Sequence, residues 1–206
     1  MSTFFITGIS TEVGKTVAAA IITEALQADY WKPIQAGDLE NSDTHKVKRL
    51  VSNDISQYHD NSFALNTPMS PHASAKIDNI TISANKIKRP KTKNTLVIEG
   101  AGGVLVPIND TETVAQLIAP TDKVIIVSRH YLGSINHTLM TVEVLKARKL
   151  NIAGILFSGD EHPTTEAIIS KMSQVPILGR IDEEPYIDAN VVSEYADRLR
   201  EKLLSL

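Results

Sequence analysis

Three consecutive residues, Gly14-Lys15-Thr16, have the types and the placement that phosphate chemistry asks for. Ahead of them an apolar run, Phe4-Phe5-Ile6, breaks at Gly8, and after them VAAAIITEAL reads as a helix. A strand, a glycine-bearing loop and a helix opening on Gly-Lys-Thr make a phosphate cradle. Backbone N–H groups of the loop and the helix start point at the anion, and the helix dipole adds to their pull. In such a cradle Lys15 reaches the β- and γ-phosphates as a point charge, and the Thr16 hydroxyl sits on Mg²⁺. The common spacing leaves four residues between the first glycine and Gly-Lys; Gly8 to Gly14 encloses five, so this loop is a lengthened variant. The plain alternative is an ordinary strand-to-helix turn with Lys15 solvated.

Other chemistry-bearing residues are less self-explanatory. Glu99 closes the apolar run TLVIE, and a carboxylate at the tip of a buried strand is costly unless paired or metal-bound. Opposite a phosphate loop it reads as a metal-facing acid; a bridge to a surface lysine is the alternative. Gly100, Gly102 and Gly103 beyond it allow close backbone approach to a ligand. Asp43, in NSDTHKVKRL, reads equally as a helix N-cap and as a site acid. Lys32, before Pro33, reads equally as a surface lysine and as a site cation. Gly133-Ser134-Ile135-Asn136 opens the helix HTLMTVEVLK, where free N–H groups suit a carboxylate or a phosphate. Plain capping by Ser134 or Asn136 is slightly favoured there. The histidines at 45, 59, 72, 130, 137 and 162 show no metal-ligand spacing, so a zinc centre is not expected.

The elements that must hold these residues alternate. Strands are expected at Tyr30-Trp31-Lys32, Thr95 to Ile98, Lys123 to Ser128, Ile152 to Phe157 and Pro176 to Leu178. Helices are expected from Ser42 or Asp43, over Ile80 to Arg89, Thr113 to Ile118, Ile135 to Arg148, Thr164 to Met172 and Asn190 to Leu204. The stretch from Asn53 to Asp78 reads as a long functional loop with short helical turns. Lys86, Lys88, Arg89, Lys91 and Lys93 form a basic cluster best read as a solvated helix end. Alternation of this kind predicts one α/β domain, its sheet mostly parallel with helices on both faces. Ligands then gather at strand carboxyl ends, which is where Gly8 to Thr16, Lys32, Glu99, Arg129 to Asn136 and Ser158 to Asp160 fall.

The 206 residues suit one domain with a large core. A formal charge of −3 offers no broad attraction to nucleic acid or anionic lipid. Without cysteine there is neither a disulfide framework nor a thiol nucleophile. A strand begins within three residues of the N-terminus, leaving no room for a secretory signal, and no apolar run approaches the ~20 residues of a membrane span. A soluble cytoplasmic protein is expected.

Together the motifs resemble the dethiobiotin synthetases, the ATP-dependent carboxylase-cyclases of biotin biosynthesis. The resemblance rests on T-G-x-x-T-E-V-G-K-T (Thr7 to Thr16), K-P-I-Q-A-G (Lys32 to Gly37), N-S-D (Asn41 to Asp43), S-P-H (Ser70 to His72), E-G-A-G-G (Glu99 to Gly103) and L-G-x-I-N-H (Leu132 to His137). They occur in family order over most of the chain, and the family carries the same longer loop. The resemblance implies a single P-loop NTPase-like domain over 1–206 and a reaction of 7,8-diaminononanoate, carbon dioxide (or bicarbonate) and ATP giving dethiobiotin, ADP and phosphate. It implies Lys32, Lys15 and Thr11 as catalytic residues. Nucleotide contacts are implied at Glu12, Val13, Gly14, Lys15, Thr16 and Val17, at Asp43, at Glu99, Gly100, Ala101 and Gly102, and at Ser158 and Asp182. Mg²⁺ would lie at Thr16, Asp43 and Glu99. Substrate contacts are implied at Ala36 and at Gly133, Ser134, Ile135 and Asn136, the last four from the other subunit of a homodimer.

Three positions depart from the family pattern. Ala36 replaces a Ser or Thr, removing a hydroxyl contact to substrate. Ser158-Gly159-Asp160 stands where a base-reading Asn is expected, and Ile181-Asp182 where Ile-Pro is expected, which puts the base contacts in question. Two rival classes remain: a P-loop switch or partitioning ATPase, which carries an extra lysine where this chain has Ser10, and a regulatory domain that binds nucleotide without turnover.

Overall fold

The computed structural model describes residues 2–206. In chain order the elements are β1 (Thr3–Gly8), α1 (Lys15–Leu26), β2 (Asp29–Trp31), β3 (Ile34–Ala36), α2 (Asp43–Leu50), β4 (Tyr58–His59), β5 (Phe63–Leu65), α3 (Pro71–Ile77), β6 (Leu96–Gly103), β7 (Lys123–Arg129), α4 (Ser134–Ala147), β8 (Ile152–Ser158), α5 (Pro163–Ser173), β9 (Ile177–Ile181) and α6 (Ala189–Leu204). Seven strands form one sheet in the order β4-β2-β6-β1-β7-β8-β9, every pairing parallel. Phe4, Phe5 and Ile6 of β1, Val97 and Ile98 of β6 and Val124 to Val127 of β7 are all buried, the continuous apolar pattern of strands covered on both faces. From β1 the chain crosses toward β2 through α1; from β7 it moves the opposite way to β8 through α4. Right-handed crossovers therefore put α1 and α4 on opposite faces. Helices α2 and α6 pack beside α1, and α5 beside α4. The direction of travel reverses around β1, so a crevice opens at its carboxyl end.

Two expectations fail, both through contacts distant in sequence. Ile80 to Arg89 is not a helix; only a single 3₁₀ turn forms, at Ala84–Lys86. Glu112 holds the Ser83 hydroxyl and the Ala84 N–H (3.2 and 3.1 Å), and Asp122 binds the Arg89 guanidinium through both oxygens. These fixed attachments override a weak periodicity. The Asn53 to Asp78 stretch is also more than a loop with turns. It contributes β4 to the main sheet, and β5 pairs in parallel with β3 to make a separate two-stranded ribbon. That ribbon ends at Gly37, whose φ of 74° is left-handed and whose missing Cβ would lie 2.5 Å from Pro68. Smaller differences are that Thr113 to Ile118 forms a 3₁₀ turn, Val114–Leu117, and that β2 ends at Trp31, leaving Lys32 beyond the strand.

Candidate active site

Burial and tight turns shape the loop between β1 and α1. A Cβ at Gly8 would stand 2.6 Å from both the Ser10 carbonyl and Val13 Cγ2, so only glycine lets the chain fold over Val13. Val13 is buried and plugs the loop from below. Glu12 takes a left-handed backbone at φ 59° and Gly14 follows at φ 90°. A non-glycine residue in that region is uncommon and concentrates at functional turns. A Cβ on Gly14 would also lie 2.9 Å from Ser158 Oγ at the end of β8. Lys15 folds back over the loop and donates to the Ser10 carbonyl at 3.0 Å. Burial, and then the nearby Lys32 cation, push its ammonium down to about 8.

Facing the loop is a buried cluster of charge. Lys32 Nζ stands 2.9 Å from Glu99 Oε1 and 2.8 Å from Asp43 Oδ2, and donates to the Gly100 carbonyl at 3.0 Å. Thr16 Oγ1 donates to the same Glu99 Oε1 at 3.0 Å, and Tyr30 Oη donates to Oε2 at 2.7 Å. Glu99 sits level with Ile6 of β1 across the β1–β6 pairing, which brings its carboxylate beside the loop. Asp43 is the first residue of α2, not its cap. Ser42 caps the helix through the His45 N–H, while the Asp43 N–H donates to Gln35 Oε1 at 3.2 Å. Burial pushes the Asp43 carboxyl up, but the Lys32 ammonium outweighs it, and the group ends below the ordinary value of 3.8. Burial works equally against the Lys32 charge; Glu99 and Asp43 reverse that effect and raise it above 10.5. Both site lysines are thereby bound up with the same two acids.

A cavity of about 730 Å³ joins the loop to this cluster. Of the residues anticipated from sequence, Thr11, Glu12, Gly14, Lys15, Thr16, Val17, Lys32, Ala36, Asp43, Glu99, Ala101 and Gly102 line it. Val13 lies beneath the loop, and Gly100 takes part through its carbonyl. Ser158 abuts Gly14 from behind. Asp182 binds Arg180 at 2.7 Å, and its N–H donates to the Tyr195 hydroxyl at 3.0 Å. Gly133, Ser134, Ile135 and Asn136 do not line this cavity; they open α4. The expected capping there is absent: the cap position is Gly133, at φ 105°, and no side chain closes the helix start. A second, mostly apolar groove of about 390 Å³ runs between Val104 to Pro107 and the α4 residues His137, Met140, Thr141 and Val144, and Thr11 borders both hollows. Arg129, expected at a strand end, also lines the cavity, whereas sequence reasoning missed Tyr30 and Gln35 in the site region. Tyr30 and Gln35 lie in strands of three residues each, too short to signal where their side chains would go.

The donor set suits a hard cation of low protein coordination. Two carboxylates and a hydroxyl meet at one cavity edge, with the Thr16 hydroxyl within reach of both acids. Among the described residues no group of three His, Cys, Asp or Glu side chains converges on a metal position. An ion here would complete its shell with phosphate and water, as Mg²⁺ does. Also among the described residues, no helix is long and apolar enough to cross a membrane.

Comparison with known proteins bears on what this arrangement serves. A family model described as an AAA domain matches residues 2–191. An ATP-dependent dethiobiotin synthetase of Christiangramia forsetii is 63% identical over 203 residues, 98% of each chain. The chain belongs to the dethiobiotin synthetase family. A second synthetase, from Cytophaga hutchinsonii, is 47% identical over 97% of each chain. Solved structures of more distant proteins share the fold. A ParA family ATPase from Chlorobium tepidum TLS superposes with a TM-score of 0.59 at 13% identity, covering 100% of this chain and 99% of its own. The Pyrococcus furiosus cell division ATPase MinD gives 0.60 at 14% identity, with 98% and 100% covered. In this chain the shared fold gathers Lys32, Glu99 and Asp43 opposite the loop.

Proposed function

We propose that the protein is an ATP-dependent ligase that carboxylates 7,8-diaminononanoate and closes its ureido ring, giving dethiobiotin, ADP and phosphate. The observation that supports it most is the buried Lys32–Glu99–Asp43 cluster sharing one cavity with Lys15 and Thr16, in a chain 63% identical to a synthetase along its length. An amine of the substrate attacks carbon dioxide and loses a proton, forming a carbamate. A carbamate oxygen takes the γ-phosphoryl group of ATP, giving a carbamic-phosphoric anhydride. The neighbouring amine then attacks the carbonyl carbon, and phosphate leaves as the ring closes.

The protein's share is positioning and charge neutralisation. Lys32, anchored by its two acids, presents a fixed positive charge to the carbamate. Lys15 exchanges the Ser10 carbonyl for phosphate oxygens, and Thr11 borders the reacting groups. The loop N–H groups from Glu12 to Val17 grip the phosphates, with Gly100, Ala101 and Gly102 facing them across the cavity. Thr16, Asp43 and Glu99 would hold Mg²⁺, which when bound offsets the phosphate charge. Ala36 gives the diamine no hydroxyl. Ser158 packs on Gly14 and Asp182 is tied to Arg180, so the base contacts expected at these two positions are altered.

We place the substrate carboxylate at the uncapped start of α4, Gly133 to Asn136, of a second copy in a homodimer. The exposure of Leu105 and Met140 (50% and 54%) along the apolar groove supports such a partner. Use of ATP as co-substrate supports a cytoplasmic location. The experiment is phosphate release with mass analysis of the product. Release should require diamine and bicarbonate together and be matched by dethiobiotin; release that persists unchanged without the diamine refutes the assignment.

A further inference from the structure

Glu99 has two carboxylate oxygens with different neighbours. Oε1 faces the cavity and accepts from Thr16 and Lys32 at 3.0 and 2.9 Å. Oε2 turns inward, and its hydrogen bond is to the hydroxyl of Tyr30, at 2.7 Å. Tyr30 is wholly buried in β2, level with Val97 of β6, its ring tilted against Tyr58 at 6.5 Å between centroids. A glutamate's terminal torsion is broad and nearly two-fold, so the backbone and χ1 alone do not fix which way the carboxylate plane turns. A donor on the inner oxygen does fix it. We propose that Tyr30 is a positioning residue for the metal-facing acid, holding the Glu99 carboxylate so that Oε1 is presented toward Thr16 and the phosphates. The inference rests on the reading of Glu99 as a ligand of Mg²⁺.

One further observation makes the Tyr30 hydroxyl suited to this role. Its ring is clamped between strands, and a hydrogen bond from a rigid, buried group loses little orientation freedom on ligand binding. Outer partners of this kind govern metal affinity strongly, commonly by 10- to 100-fold. In Tyr30→Phe the ring remains, the hydroxyl goes, and Oε2 is left buried without its donor.

The test is binding of Mn²⁺, as a spin probe for Mg²⁺, to the full-length protein with ADP, followed by electron paramagnetic resonance. The expected result for Tyr30→Phe is an Mn²⁺ dissociation constant raised by about tenfold, with metal-free ADP affinity close to wild type and a melting temperature lowered by a few degrees, since a buried oxygen has lost its donor. Tyr58→Phe, altering the ring beside Tyr30 but not touching Glu99, should bind Mn²⁺ as wild type does. Glu99→Gln separates the two levels of the argument. If it weakens Mn²⁺ while Tyr30→Phe does not, the positioning role is wrong and the metal site stands. If neither weakens Mn²⁺, the metal reading fails and takes this inference with it. A Tyr30→Phe protein that loses metal-free ADP binding to the same degree as Mn²⁺ binding shows a general structural defect and also overturns the proposal.

Discussion

Replacing Lys32 with methionine keeps the length of the side chain and removes its charge. Lys32 and Glu99 have side chains only 5% and 1% exposed, and Asp43 is 21% exposed, so solvent does little to screen what remains. Removing one partner of a buried pair costs about 3–5 kcal/mol, because an uncompensated charge stays behind. For a chain of this size each kcal/mol moves the melting temperature by about 2–4 °C, so Lys32→Met is expected to melt about 10 °C lower. Loss of one preorganised cation near developing charge should lower turnover by about 10²-fold or more. Lys32→Met/Glu99→Gln also removes the more deeply buried of the two orphaned charges, leaving Asp43. It should regain roughly half the lost melting temperature and none of the turnover, which separates the structural debt from the catalytic one. Scanning calorimetry and dethiobiotin formation measure the two effects. A single variant that melts within about 2 °C of wild type and turns over within about threefold of it would show that Lys32 is neither the keystone of the charge cluster nor a reacting-site cation.

Two further outcomes follow from local geometry. Gly14→Ala combines a left-handed φ of 90° with a Cβ 2.9 Å from Ser158 Oγ. It should destabilise by about 1–3 kcal/mol and weaken nucleotide binding, seen by titration calorimetry, with Gly14→Ala/Ser158→Gly recovering only the part due to the contact. Asp29 is buried at the far end of β2 from the site, and burial pushes its carboxyl up. Donors from Thr92, the Gln57 N–H, Asn94 and His59 outweigh this and bring it below 3.8. A depressed carboxyl contributes stability that is present above its unfolded value and lost as pH falls through the lower folded one. Asp29→Asn should therefore lose stability at neutral pH and show a flatter acid limb in urea melts below about pH 5.

What could be read from the sequence was what local chemistry dictates. The cradle was legible because glycines, lysine and threonine must stand in a fixed order between a strand and a helix for the backbone to surround an anion. Glu99 was legible because an acid at the tip of an apolar strand demands a partner, and Lys32 is that partner at 2.9 Å. The ambiguity at Asp43 dissolved only in three dimensions, where Ser42 takes the capping role and frees Asp43 for the lysine. The hydroxyl of Tyr30 left no trace in sequence, since its acceptor lies 69 residues away. Long separation also explains the missing helix at Ile80 to Arg89, where Glu112 and Asp122 decide the backbone from outside the segment. Strands β3 and β5, at three residues each, are too short for any periodicity to register.

The back-folded posture of Lys15 sets the terms on which anions enter. Its ammonium already has an acceptor in the Ser10 carbonyl, at 3.0 Å, so an arriving ligand must out-compete a tether built into the same loop. A lone phosphate ion offers too few simultaneous contacts to do so well. A polyphosphate chain, engaging the loop amides and the lysine together, meets the condition, and the vacated carbonyl turns back to solvent once the tether is released. The resting loop is therefore expected to favour ligands with several phosphoryl groups over those with one.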